Sequence, residues 1–188
     1  YTATYDSRGN FYAGGIVFSA GFPVNAGAFQ TNFSGGIPDG AISNGYDMAI
    51  IKFSPDGARR EYATYIGGNG NEQPHSLVVD GQQNLYLTGR TNSPNTATGF
   101  PVIGNGTLAG DGFDIVVAKI NPTGTALLGA RKIGGSSADG VNIATTRALN
   151  SLQRNYGDDG RGEIILDQAG NVWITSHSQS GGITPGSV

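Results

Sequence analysis

An internal repeat with an offset of 67 residues constrains the fold of this chain more than any other feature of its sequence. Three pairs of segments share that offset and carry matching apolar, turn and glycine positions. They are Asp47-Met-Ala-Ile-Ile-Lys52 with Asp114-Ile-Val-Val-Ala-Lys119, Phe53-Ser-Pro-Asp-Gly57 with Ile120-Asn-Pro-Thr-Gly124, and Tyr65-Ile-Gly-Gly68 with Lys132-Ile-Gly-Gly135. Because a fixed internal period is the mark of repeat architectures, the chain is predicted to contain successive copies of one structural unit.

A second motif, in which an asparagine precedes an aromatic residue by two positions, occurs three times. Its copies are Gly9-Asn10-Phe-Tyr12, Gln83-Asn84-Leu-Tyr86 and Gly170-Asn171-Val-Trp173. Their offsets of 74 and 87 exceed 67 because the first unit carries 7 extra residues before Asp47 and the third opens with a 20-residue insertion. These landmarks divide the chain into predicted units at 1–68, 69–135 and 136–188.

Each unit reads as four β-strands joined into two hairpins. In the second unit the strands are predicted at 76–80, 85–91, 114–120 and 126–133, from short apolar or alternating runs bounded by turn residues. Helical spacing is confined to a loose pattern over 141–154.

A repeated four-stranded antiparallel unit is typical of a β-propeller blade, so the predicted fold is an all-β propeller segment of about two and a half blades. The first blade lacks most of its first strand, and the third consists of an insertion and the first half of a blade. A β-sandwich is the main rival, but sandwich strands need no internal repeat. Blades at the two ends would expose strand edges, so we expect a segment of a longer protein.

Composition excludes several classes of function. The 32 glycines and 8 prolines among 188 residues indicate a turn-rich chain, and a net charge of −3 offers no basic surplus for nucleic acid or anionic membranes. No apolar run approaches the roughly 18 residues that direct membrane insertion requires. The absence of cysteine excludes disulfides, thiol nucleophiles and cysteine-bound zinc.

Loop lengths suggest where a function resides. The turns at 81–84 and 121–124 are tight, whereas the segments 19–46, 92–113 and 136–163 are long and, in a propeller, lie together at the opposite face. Long loops on a rigid scaffold are common binding sites, although they also serve as spacers.

One acidic cluster is the candidate metal site. Asp158, Asp159 and Glu163 lie among glycines that could wrap a hard cation such as calcium, but the spacing is not that of an EF-hand and a hydrophilic turn explains the same residues. His75 and His177 are not paired with a serine and an acid in any recognisable triad. No catalytic residue is therefore predicted, and calcium is the one cofactor considered.

The same residues resemble the SBBP family of bacterial β-propeller repeats, over nearly the whole chain apart from 136–163. The matching motifs are Val79-Asp80 to Gly89, Phe22-Pro23-Val24, Gly27-Ala-Phe-Gln-Thr31, Asp47 to Phe53, Ser54-Pro-Asp-Gly57 and Tyr62-Ala-Thr-Tyr-Ile-Gly-Gly68. The second unit keeps Phe100-Pro101-Val102 but lacks the Gly-Ala-Phe-Gln-Thr run. The resemblance implies a large secreted or cell-surface bacterial protein, and it brings no catalytic motif.

We therefore expect a non-catalytic extracellular propeller module for adhesion or for protein or glycan binding, within a larger secreted or surface protein. Its expected partners are further blades or other protein chains, with polysaccharides or cell-surface proteins as candidate ligands. Two alternatives stay open: a structural subunit of a surface filament or secretion assembly, and a polysaccharide-active enzyme whose site is shared with absent blades.

Overall fold

The computed structural model describes residues 1–39, 43–103, 112–143, 162–181 and 183, which form ten β-strands in three antiparallel sheets. Sheet one consists of β1 (Thr2–Tyr5), β2 (Phe11–Val17), β3 (Asp47–Phe53) and β4 (Arg60–Ile66). Sheet two consists of β5 (Glu72–Val79), β6 (Leu85–Thr91), β7 (Asp114–Ile120) and β8 (Leu127–Ile133). Sheet three pairs β9 (Glu163–Leu166) with β10 (Val172–Thr175).

The strands of each four-stranded sheet are ordered as they occur in the sequence, so every connection joins neighbours. β1 and β2 contact β5, and β5 in turn contacts β9, so successive sheets pack through their first strands. Together with the absence of helix from the described ranges, this gives the predicted all-β fold of antiparallel propeller blades. No helix that could cross a membrane occurs in the part of the chain that the structure describes.

The three sheets lie within the predicted units 1–68, 69–135 and 136–188, and the division at those residues stays a prediction. In the first unit β1 spans four residues, where β5 spans eight. Residues 141–143 are not helical, and the rest of the loosely helical pattern over 141–154 lies outside the described residues.

The hydrophobic core lies between sheets one and two. Side chains that alternate along the strands meet there, as the period of two in a strand requires. The buried cluster comprises Tyr12, Met48, Ile50, Tyr62, Ile66, Leu77, Leu85, Leu87, Phe100, Val116, Ala118, Ile120, Leu127 and Ala130. A Cβ on Gly14 would lie 3.3 Å from Ile50 and 3.4 Å from Leu77, so this glycine allows the two sheets to approach closely.

Part of the long β2–β3 connection leaves the end of the sheets and runs along the outer edge of sheet one. Its residues 25–30 run beside the outer strand β4, where Asn25 donates its backbone N–H to Ala63 and Tyr65 donates its own to Gln30. Phe29 then donates its backbone N–H to the carbonyl of Gly124, in the β7–β8 turn of the next sheet. The expectation that this connection lies entirely at one face is therefore incomplete, because part of it covers the edge of β4 and ties two sheets together.

Candidate binding face

The end of the sheets where β2 ends and β3 begins carries both long loops, and we call it the loop end. Between the loops runs the connector 67–71 from β4 to β5. Asn71 is its main clamp: its side chain donates to the carbonyl of Ile37 at 2.9 Å and accepts from the backbone N–H of Tyr46 at 3.3 Å. Its own backbone N–H donates to the side chain of Asn92 at 2.6 Å. One asparagine thus fixes the first loop against the second.

A cavity of about 570 Å³ opens between these loops, and we call it the loop-end cavity. Its lining combines aromatic, amide, hydroxyl and backbone groups from the first loop, the connector and the second loop. The lining residues are Phe29, Gln30, Ser34, Gly67, Gly68 and the segment 95–102. The volume is in the range of small-ligand sites in proteins, and the mixture of polar and apolar groups suits a polar ligand with hydroxyls.

Two buried carboxyl groups lie directly beneath the connector. Asp47 accepts a hydrogen bond from the backbone N–H of Ser34 at 2.8 Å, and Glu72 accepts one from Gly68 at 3.1 Å. Glu72 also accepts from the hydroxyl groups of Thr91 and Ser93. A Cβ on Gly67 would lie 2.5 Å from an Asp47 oxygen and 2.7 Å from a Glu72 oxygen, so only glycine fits above the pair.

Burial shifts the pKa values of both carboxyl groups. Both residues are fully buried, and burial raises the pKa of Asp47 to about 7, with a further contribution from the neighbouring charge of Glu72. Burial also raises the pKa of Glu72, although the hydrogen bonds from Ser93 and Thr91 oppose it. Both carboxyls are therefore easier to protonate than surface acids, as expected where two carboxyls share a dry site.

A second pair of carboxyl groups recurs one repeat later, and this pair has a lysine beside it. Asp114 and Asp139 occupy the positions equivalent to Asp47 and Glu72, and Asp139 accepts from the backbone N–H of Gly135 at 2.8 Å and from the hydroxyl of Ser180 at 2.7 Å. Here Lys132 lies 3.0 Å from Asp114 and is almost fully buried. The position equivalent to Lys132 in the first unit is Tyr65, which brings no positive charge.

The opposite end of the sheets, which we call the turn end, carries a second repeated cluster. In the first hairpin of each sheet an aspartate accepts from two backbone N–H groups and from the side chain of the asparagine four residues later. These triplets are Asp6 with Arg8 and Asn10, Asp80 with Gln82 and Asn84, and Asp167 with Ala169 and Asn171. Although burial opposes it at Asp6 and Asp80, the hydrogen bonds lower the pKa of all three carboxyls.

A third-strand lysine completes the cluster in sheets one and two. Lys52 lies 3.9 Å from Asp6 and 5.0 Å from the centre of the Tyr12 ring. Lys119 lies 3.5 Å from Asp80 and stands over the ring of Tyr86. The repeated lysine and aromatic residue therefore meet within one sheet.

Only one residue of the predicted metal site belongs to the described part of the chain. Asp158 and Asp159 lie outside the described residues, and Glu163 begins β9, where its carboxylate accepts from the hydroxyl of Ser76 at 2.9 Å. Among the described residues no three potential ligands of the His, Asp or Glu type come together. The calcium site stays a prediction.

One histidine lies within a strand and the other follows a strand. His75 is in β5, where burial lowers its pKa to about 3, so its ring is neutral at pH 7. His177 follows β10, and its carbonyl accepts from the backbone N–H of Gly140.

The carboxyl pairs were missed by reading for catalytic or metal-binding motifs. The sequence did contain a signal for them. Asp139 lies 67 residues after Glu72, just as Asp114 lies 67 residues after Asp47. Polar residues at the start of a strand attract little notice in a search for apolar periodicity.

One comparison with known proteins identifies the repeat. The family model of the SBBP β-propeller repeat matches residues 61–95, which run from β4 through β6 into the second loop. No curated protein sequence matches the chain.

Proposed function

We propose that this chain, which carries an SBBP β-propeller repeat at residues 61–95, is a non-catalytic binding module that holds its ligand at the loop end. The observation that carries the proposal is the loop-end cavity of about 570 Å³, built from two long loops over a rigid sheet framework. Binding sites are commonly placed on loops that a rigid scaffold holds in position.

The lining of the cavity favours a glycan. Phe29, which is partly exposed, offers an apolar ring that can pack against the C–H face of a sugar, while Asn95 and Thr96 offer an amide and a hydroxyl at the exposed rim. Neutral saccharides need this combination of apolar faces and directional polar groups. A surface polysaccharide or the glycan of a cell-surface protein is the ligand class we propose, in an adhesive protein that is secreted or displayed on the bacterial surface.

The buried carboxyls support a role in binding rather than hydrolysis. Asp47 and Glu72 are fully buried beneath the backbone at 67–68, and each accepts a hydrogen bond from the backbone of the loop end. A glycosidase needs its two carboxyl groups to flank the scissile bond of the bound sugar. We therefore propose that this pair braces the floor of the loop-end cavity, and a polysaccharide-active enzyme is the outcome that turnover on a glycan panel would establish.

The test is binding of the 188-residue chain to a panel of bacterial and host glycans, followed by calorimetry on those that bind. Ala97 lines the cavity and is exposed, so Ala97→Trp should fill it and abolish binding, while Asn95→Ala should weaken binding about tenfold. Gln82→Trp, at an exposed position of the turn end, is the matched control and should bind like the wild type. Binding that survives Ala97→Trp would place the site elsewhere and overturn the proposal.

Exposed apolar side chains favour a second candidate, a structural subunit of a surface assembly. Tyr5 is 76% exposed, and Ile165 and Trp173 are each 59% exposed, on sheets one and three. Apolar side chains of this size at strand positions are typical of surfaces that another chain covers. Light scattering during size-exclusion chromatography distinguishes the candidates, because an assembly subunit forms higher-order species as concentration rises and a monomeric module does not.

A further inference from the structure

A second cavity, of about 500 Å³, lies beside the loop-end cavity, and we call it the side cavity. Residues of the first long loop form most of its lining, and the connector 67–71 contributes the rest. Ser34 lines both cavities, and Asn69 of the side cavity directly follows Gly68 of the loop-end cavity in the chain. The two cavities are therefore neighbours that share a wall.

Ser34 is held in a fixed position at this shared wall. Its backbone N–H donates to the buried carboxyl of Asp47 at 2.8 Å, and its hydroxyl accepts from the side-chain amide of Gln30 at 2.9 Å. Gln30 is fixed in turn, because its side-chain oxygen accepts from the backbone N–H of Gly67 at 3.0 Å. Since the hydroxyl oxygen is the acceptor toward Gln30, the O–H of Ser34 can still donate to a ligand.

The side cavity offers the same kinds of group as the loop-end cavity. Phe33 offers a partly exposed ring, which the ring of Tyr65 supports at 6.2 Å between centroids. Asn44 and Asn69 offer exposed amides, and Ser43 offers an exposed hydroxyl. Both cavities thus combine an aromatic ring with amides and hydroxyls. Two neighbouring sites of like chemistry suit a ligand built from like units, as a linear saccharide is.

The lining of both cavities is uncharged. Among the residues that the structure describes, no Asp, Glu, Lys or Arg lines either cavity. The ionisable groups beneath them are buried: Asp47 and Glu72 lie under the connector, and Lys132 pairs with Asp114 and donates to the side chain of Asn95. An anionic sugar would therefore find no cation in the lining, and an unpaired charge is costly to remove from water. The lining favours a neutral ligand.

We propose that the two cavities form one cleft, which binds consecutive units of a linear, uncharged glycan. The glycan passes from one cavity to the other at Ser34, whose O–H donates to it there. The two volumes together reach the upper end, about 1,000 Å³, of the range for ligand pockets, so the cleft has room for more than one sugar unit. This inference rests on the proposed function, and it adds a second subsite, a minimum ligand length and a preference for neutral chains.

Calorimetry on the 188-residue chain tests the length and the charge of the ligand. The neutral probes are cello-, malto- and chito-oligosaccharides, each from the disaccharide to the hexasaccharide, and the anionic probe is the hexamer of galacturonic acid. In a series that binds, we expect the hexasaccharide to bind about tenfold more tightly than the disaccharide, because the second subsite adds at least one hydrogen bond and one apolar contact. The anionic hexamer should bind about tenfold more weakly than the neutral one, or not at all.

A matched pair of variants separates the two subsites. Ala20 lines the side cavity and is exposed, as Ala97 is in the loop-end cavity. Ala20→Trp should lower the affinity for the hexasaccharide to that for the disaccharide and leave the disaccharide unaffected. Ala97→Trp should abolish the binding of both, and Gln82→Trp at the turn end should change neither. Circular dichroism of each variant verifies that its sheets are intact.

The outcomes distinguish this inference from the proposed function. Equal affinity for the disaccharide and the hexasaccharide, or full hexasaccharide affinity in Ala20→Trp, would overturn the second subsite while the loop-end cavity stands as a binding site. Tighter binding of the anionic hexamer would overturn the preference for neutral chains. Absence of binding by all three neutral series would overturn the inference as a whole and leave the proposed function to the wider glycan panel.

Discussion

At the scale of single residues, Asp47 couples folding to pH. Burial raises its pKa to about 7, above the value of about 4 expected in the unfolded chain. Between pH 4 and pH 7 the folded protein therefore binds more protons at this site than the unfolded chain does. The stability that Asp47 contributes is complete below pH 4, falls as pH rises through 7 and is absent above it.

The substitution Asp47→Asn tests this coupling, because asparagine mimics the protonated acid and can still accept the hydrogen bond from Ser34. We expect the variant to lose the part of the fall in stability between pH 4 and 7 that Asp47 causes, and to exceed the wild type at pH 8 by roughly 2–4 kcal/mol, at about 1.4 kcal/mol per pKa unit. Urea denaturation at pH 5 and pH 8 measures both. The equivalent substitution Asp114→Asn is the control and should destabilise the protein at both pH values, because it removes the partner of Lys132. A variant as pH-sensitive as the wild type would contradict the assignment.

Gln83 has a strained left-handed backbone, and its side chain makes a contact between two sheets. Its φ is +67°, and the equivalent positions in the other hairpins are Gly9 and Gly170, with φ of +83° and +84°. Its side-chain amide donates to Asp6 of sheet one at 2.8 Å. A left-handed backbone costs a residue with a Cβ about 1–2 kcal/mol, which the contact offsets.

From this balance we predict that Gln83→Gly is nearly neutral, since the lost hydrogen bond and the relieved strain are of similar size. Gln83→Ala keeps the strain and loses the contact, so it should be about 1 kcal/mol or more less stable than Gln83→Gly. Thermal unfolding of the two variants side by side provides the measurement. Equal stability of the two would mean that the left-handed backbone carries no cost here.

At the scale of elements, the turn between β7 and β8 also serves as part of the interface with sheet one. Gly124 and its equivalent in the first unit, Gly57, have nearly the same φ, +71° and +70°. A Cβ on Gly57 would meet nothing within 4 Å, whereas a Cβ on Gly124 would collide with the buried ring of Tyr62. The two turns have the same backbone and different neighbours.

The pair Gly57→Ala and Gly124→Ala separates strain from overpacking. Both substitutions place alanine in a left-handed conformation and should cost about 1 kcal/mol for that reason. Gly124→Ala should cost a further 1–3 kcal/mol, because Tyr62 has to move within a packed core. Guanidinium denaturation curves give both values, and similar losses for the two variants would show that the ring of Tyr62 yields freely.

The strands that carry the repeat follow directly from sequence patterns. The apolar runs at 85–91 and 114–120 predict β6 and β7 with the bounds observed. The first strand of that unit begins at Glu72 rather than Ser76, because its opening residues include an acid, an amide and a proline that no apolar pattern marks. These residues are buried through tertiary contacts, such as those of Glu72 with Ser93 and Gly68.

The position of the candidate site could be predicted from the sequence, but the contacts that build it could not. Loop lengths combined with the propeller topology put the elaborated loops 19–46, 92–113 and 136–163 together, and the loop-end cavity lies between the first two. The path of residues 25–30 along β4 rests on backbone hydrogen bonds and on side-chain contacts such as that of Arg60 with Asn25, which follow no periodic pattern in the sequence. The pairing of Asp47 with Glu72 joins residues from two sheets, so it follows only once the packing of the sheets is known.

At the scale of the whole molecule, one buried arginine links all three units. Arg90 of β6 donates to the hydroxyl of Tyr46 at 3.2 Å and to the carbonyl of Asn142 at 2.6 Å, and it packs over the ring of Phe113 at 4.1 Å. Tyr46 precedes β3, and Asn142 belongs to the segment that leads toward sheet three. The side chain is fully buried, so each of these contacts is made away from water.

A link of this kind should make the sheets unfold together. We predict that Arg90→Met, which keeps an apolar stem and removes the guanidinium, lowers stability by roughly 3 kcal/mol, the value of two hydrogen bonds to a charged group less the relief of its burial. It should also separate two probes that coincide in the wild type: the fluorescence of Trp173, which reports on sheet three, and far-ultraviolet circular dichroism, which reports on all strands. Arg131→Met, at an exposed position of β8, serves as the control and should change stability by less than about 0.5 kcal/mol. If the two probes still coincide in Arg90→Met, the sheets are coupled mainly through the apolar contacts of their first strands, and the arginine is a local brace.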